Sequence, residues 1–150
     1  MKEGQKLWTR EQSILAINLY CKIPFGQMHS RNPRIQELAN LINRSPGAVA
    51  RKLGNFAHFD PSLQARGVGG LPNTSKLDEE IWNEFYNNWD SALIESEKLL
   101  AKKRHTTIEK LNGVNEKDLL KVGITKERLV KTRVNQSIFR KMIDSDIESS

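Results

Sequence analysis

Two dipeptides, Asn32-Pro33 and Ser45-Pro46, constrain this chain more than any other feature. In each, a side chain able to cap a first helical turn precedes a proline, which presets φ and lacks an N–H that a helix start leaves unused anyway. Behind the first, Ile35, Leu38, Ala39 and Ile42 recur at i, i+3, i+4 and i+7; behind the second, Val49, Leu53, Phe56 and Ala57 form another apolar stripe. These signals predict helices over 33–42 and 46–58, joined by a three-residue turn. Two such stripes need a third wall, and the upstream sequence supplies it. Thr9 and Gln12 have capping-box spacing, Trp8 sits just before the cap, and Ile14, Leu15, Ile17, Leu19 and Cys21 follow at helical intervals, predicting a helix over 10–22 that Pro24 and Gly26 end.

Downstream, Asp60-Pro61, the glycines at 67, 69 and 70, and Leu71-Pro72-Asn73 show no periodicity and read as a flexible connector over 61–75. A helix then restarts at Ser75, with Asp78, Glu79 and Glu80 in its first turn, where the helix dipole favours acids, and with Leu77, Ile81, Trp82 and Phe85 on one face. Asp90 is expected to cap a further helix that carries Leu93, Ile94, Leu99 and Leu100 and ends in Lys102-Lys103-Arg104. Short helical pieces near 106–112 and 116–121 lead to a basic helix over 126–143, whose Leu129, Val130, Val134, Ile138, Phe139 and Met142 share a side. No segment alternates like a strand. The expected architecture is all-α: a helix-turn-helix unit (1–60), the loop (61–75), a helical pair packed on the unit (76–104), a linker with short helices (105–125), and a basic helix with an acidic tail (126–150).

The net charge of +6 conceals a segregation. Residues 1–66 hold ten Lys/Arg against four Asp/Glu, residues 67–97 one against seven, residues 98–141 thirteen against four, and the last nine residues add three acids. Two basic blocks flanking an acidic one point to a polyanion-binding surface with a structural middle. No apolar run reaches the length of a membrane span, and Asn18 interrupts the apolar stretch 14–20, so a cytoplasmic protein that meets no membrane is expected. Cys21 is the single cysteine, which leaves no intramolecular disulfide and no cysteine-rich metal site.

The outward side of the 46–58 helix carries Ala48, Arg51, Lys52 and Asn55 at i, i+3, i+4 and i+7. Arg51 has the fork geometry for guanine and Asn55 the amide for adenine, while Ala48 offers a methyl contact to thymine. Lys52, Arg31, Arg34 and Arg44 are expected to position the phosphate backbone, and Ser45 to donate to a phosphate beside the free N–H groups of the helix start. The partner this predicts is double-stranded DNA.

The opening LWTREQSILAINLY and the helical pattern behind it look like a Myb/SANT-type or homeodomain-like tri-helical unit. More closely, LYCKIPFGQMHSRNPRIQELANLINRSPGAVARKLGNFAHFDPSLQARGVGGL, then LDEEIWNEFYNNW and VKTRVNQSIFRKMI, resembles the N-terminal region of bacterial HNH endonucleases of restriction type, over nearly the whole chain. That resemblance implies a DNA-targeting role and a nuclease domain following the segment like Val130–Ile143, with a Cys-x-x-Cys pair and a histidine-rich metal motif. Here Asp144-Ser-Asp-Ile-Glu-Ser-Ser follows instead, so no catalytic residue of the family carries over.

Nor do the residues offer catalysis of another kind. His29, His58 and His105 lie on separate segments without a second ligand at metal spacing, and Arg66-Gly-Val-Gly-Gly-Leu-Pro lacks the Gly-Lys-Ser/Thr of a phosphate loop. No metal, cofactor or enzymatic activity is expected. The alternative function is a protein-interaction or regulatory fragment that self-associates, or pairs with a full-length nuclease or another partner, through the apolar side of the 126–143 helix.

Overall fold

A computed structural model of the chain describes residues 7–115, 117 and 123–137. Among them the protein is all-α: helices α1 (Arg10–Tyr20), α2 (Pro33–Ile42), α3 (Pro46–His58), α4 (Pro61–Ala65), α5 (Lys76–Asn87), α6 (Trp89–Lys103), α7 (Ile108–Leu111) and α8 (Lys126–Ser137), with a 3₁₀ turn at Phe25–Gln27.

The helix starts follow local chemistry. Thr9 and Gln12 close the capping box of α1, Asn32 accepts from the N–H groups of Arg34 and Ile35, and Ser45 accepts from that of Ala48. Asn43, in the left-handed region at φ 57, ends α2, and the N–H of Arg44 returns to the Ala39 carbonyl, which sets the turn into α3. Two starts differ from expectation. Asp60-Pro61 opens α4 with the same cap-plus-proline signal as α2 and α3, so the expected 61–75 loop begins as a helix. For α6 the cap position falls on Asn88, without a side-chain bond, and Asp90 sits in the first turn.

Helix α1 is the centre of the molecule. Leu15, Ala16, Ile17, Asn18, Leu19 and Tyr20 are all buried, because α2, α3, α5 and α6 pack around it. A helix covered on every side is apolar nearly all round, and the stretch 14–20 is, apart from Asn18. That amide donates to Ser96 Oγ (2.9 Å) and Glu97 Oε1 (3.0 Å). Glu97 also takes the Lys22 ammonium at 2.5 Å, so a buried polar knot ties α1 to α6, and burial holds the Lys22 pKa below its usual value against the pull of Glu97. On the other side Tyr20 meets Trp82 (5.7 Å between ring centres) and Phe56 (6.3 Å) edge-on, which joins α1 to α5 and α3.

One hydrophobic cluster runs from Leu15 to Val134. Leu129, Val130 and Val134 are within it, so in the described part of α8 the apolar side is covered by this chain's own residues and is not the exposed docking face of the alternative reading. Ile138, Phe139, Met142 and the acidic tail lie outside the described residues, as does nearly all of the 116–121 piece.

Candidate functional site

The outward side of α3 faces a surface groove of about 460 Å³, lined by Trp8, Ala48, Arg51, Lys52, Asn55, Leu71, Pro72 and Asn73. Four of the eight residues singled out in the sequence therefore come together there: Ala48, Arg51, Lys52 and Asn55. Their states differ.

Arg51 is exposed, Asn55 half-buried, and among the described residues neither side chain makes a hydrogen bond or an ion pair. The Arg51 guanidinium folds back along the helix, so that a Cβ on Gly47 would meet its Nη1 at 3.7 Å and Ser45 Oγ at 4.0 Å. Ser45 itself is exposed but engaged as the cap of α3. The helix start offers fewer free donors than expected: Pro46 has none, and the N–H groups of Ala48 and Val49 go to the Ser45 side chain and carbonyl. In that first turn the Gly47 N–H is the one left over.

Lys52 is a correction. The sequence places it in the outward stripe as a phosphate contact, but its side chain is 8% exposed and its Nζ lies 2.6 Å from Asp78 Oδ1 on α5. It also sits 4.9 Å from the centre of the Trp8 ring. The stripe is about 100° wide, and α5 covers the edge of it that Lys52 occupies. Asp78, attributed to the helix dipole, is likewise 1% exposed, and its other oxygen accepts from the Ser75 N–H.

Arg44 is a second correction. Its Nη2 donates to the Leu7 carbonyl (2.7 Å) and Gln12 Oε1 (3.1 Å), with the guanidinium carbon 4.9 Å from the Trp8 ring centre. It fastens the segment before α1 onto the α2–α3 turn instead of standing out as a backbone-positioning cation. Arg31 and Arg34 are exposed, but neither lines the α3 groove; Arg34 borders a separate polar cleft with Lys22, Glu37, Glu97 and Arg104.

The far wall of the groove is the segment taken for a flexible connector, and the structure docks it. The Leu71 N–H donates to the Gly54 carbonyl at 2.9 Å, and Gly70 lies so close to α3 that a Cβ there would be 2.2 Å from the His58 nitrogen and 2.5 Å from the Gly54 oxygen. Gly54 answers it from the helix, where a Cβ would strike the Leu71 side chain at 2.9 Å. Sequence reasoning passed over Leu71, Asn73 and Trp8. The available signal was Gly54, since a glycine inside a helical pattern costs helix stability and marks a place where another backbone comes close.

The charge segregation also acquires a physical account. Of the seven acids in 67–97, Asp78, Glu84, Asp90, Glu95 and Glu97 pair with Lys52, Arg10, Lys131, Lys98 and Lys22. In the second basic block Lys103 and Arg104 pair with Glu11 and Glu37, and Lys126 with Glu109, so that block is partly neutralised by this chain. Among the described residues Arg51, and Arg66 and Lys76 at the two ends of the docked segment, have neither an ion pair nor a side-chain hydrogen bond. Among the described residues no three His, Cys, Asp or Glu side chains gather as a metal site, and no helix is long and apolar enough to cross a membrane. Comparison with protein-family models, with curated proteins and with solved structures found no match.

Proposed function

We propose that this chain is a double-stranded DNA-binding module in which α3 is the recognition helix and α2 the helix that crosses the phosphate backbone. The observation that carries the reading is the pair Arg51 and Asn55, about one helical turn apart on the outward side of α3, converging on one groove with planar donor and acceptor groups that the protein leaves unused. Among the described residues eight cations pair with acids, whereas Arg51 and Asn55 keep their polar groups open to an external partner. An arginine fork matches guanine O6/N7 and an amide matches adenine N6/N7, and the Ala48 methyl beside them suits a thymine methyl. The connection of α2 to α3 by a three-residue turn is that of helix-turn-helix readers, whose second helix enters the major groove by its N-terminal residues.

Arg66 and Lys76, with the Gly47 N–H and the Ser45 hydroxyl at the start of α3, are groups available to hold phosphates. The role proposed is DNA binding. A fluorescence-anisotropy titration of a random duplex at a series of salt concentrations tests it. Expected is a log–log slope of about −0.9 for each phosphate neutralised, with about four to eight contacts in all. A flat titration, or no binding at low salt, overturns the reading.

A further inference from the structure

Resting on the DNA reading above, we propose that residues 71–73 are a second base-reading element, in which Asn73 hydrogen-bonds a base edge and Leu71 makes the adjoining apolar contact. Three observations meet here.

The segment is held in place. Its backbone is tied to the rest of the fold by the Val68 N–H on the Leu63 carbonyl (2.9 Å) and the Leu71 N–H on the Gly54 carbonyl (2.9 Å), and beyond these the Thr74 N–H closes a local tight turn on the Pro72 carbonyl (2.9 Å). Glycines at 54 and 70 let the two backbones approach more closely than any side chain would allow. A wall so placed keeps its shape when a ligand arrives, and the ordering cost falls on folding instead of on binding.

Its side chains are uncommitted. Asn73 is exposed, and its amide has no hydrogen-bond partner among the described residues. Leu71 is 43% exposed, one of the few large hydrophobic side chains left outward, and it stands on the rim of the groove into which Arg51 and Asn55 face. Arg51, Asn55 and Asn73 thus line a single space, with Ala48, Leu71 and Pro72 as the apolar residues among them.

The charge of the groove sets what such groups do. Asp78 neutralises Lys52, which leaves Arg51 as the one uncompensated charge among the lining residues. An amide contributes little to the salt-dependent affinity for any duplex and much to the choice among sequences. Asn73 is therefore a specificity-determining residue.

The test is selection of duplexes from a randomised pool with the full chain, and with its Asn73→Ala, Asn73→Ser and Arg51→Ala variants, followed by competition titrations and thermal melts. Expected for both Asn73 variants is loss of base preference at one or two positions other than those lost in Arg51→Ala. Affinity for the selected duplex should fall about 5- to 100-fold, with random-duplex affinity, salt slope and melting temperature unchanged. If the Asn73 variants select the wild-type sequence with wild-type affinity while Arg51→Ala does not, the 71–73 proposal is overturned and the α3 reading stands. If they weaken selected and random duplexes alike, Asn73 is a phosphate contact and base reading by it is overturned. If the wild-type chain enriches no duplex, both readings fall together.

Discussion

Lys52 on α3 reaches across to Asp78 at the start of α5, 2.6 Å from Nζ to Oδ1, and the two side chains are 8% and 1% exposed. This bond joins the start of α5 to α3. It also removes from the outward stripe of α3 the lysine that the sequence offers as a phosphate contact. Removing one member of a buried ion pair strands the other charge away from water, so Lys52→Ala is expected to cost about 3–5 kcal/mol. Lys52→Met combined with Asp78→Asn keeps an acceptor for the Ser75 N–H and strands no charge, and should recover much of that loss. Urea denaturation of the three proteins measures both effects. A Lys52→Ala protein as stable as the wild type would show that the pair does not hold α5 to α3.

Arg51 and Asn55 should behave in the opposite way. Both are outside the core and make no side-chain bond among the described residues, so Arg51→Ala and Asn55→Ala are expected to change the melting temperature little. On a preferred duplex each should cost about 1–3 kcal/mol, with a much smaller loss on random DNA. Stable variants that keep both affinity and sequence preference would move the DNA-binding surface away from α3.

The phenol of Tyr20 donates to Asp60 Oδ2 at 2.5 Å inside the core, and burial, followed by the charge of Asp60 and this hydrogen bond, drives its pKa far above the ordinary 10.0. The sign follows directly. The folded state keeps the proton where the unfolded chain releases it, so the contribution is complete below pH 10 and diminishes above it, by about 1.4 kcal/mol per pH unit while the folded protein stays protonated. Tyr20→Phe is therefore less stable than the wild type at pH 8, and its deficit should narrow as the pH rises past 10. Lys22, whose pKa burial lowers, is common to both proteins and cancels in the difference. Parallel denaturation midpoints from pH 8 to 11 give the comparison, and a deficit independent of pH would mean that Tyr20 ionises as freely when folded as when unfolded.

What the amino-acid sequence determined by itself is nearly every helix boundary in the first hundred residues. The capping box at Thr9 and Gln12 and the cap-plus-proline starts at Asn32, Ser45 and Asp60 act within one turn, and so do the caps at Ser75 and the left-handed Asn43. Even α4 announced itself through Asp60-Pro61, but five residues are too few for an apolar period to show. The all-α class follows from the same short-range patterns. Tertiary structure decided which polar groups remain available at the surface of α3. Lys52 finds Asp78 26 residues away, Arg44 finds Leu7 37 away, and residues 70–73 close over Gly54 to wall the groove. Periodicity assigns a residue to a side of its own helix, whereas its partner depends on which other element covers that side, and burial then makes any charge left without a partner too costly to keep.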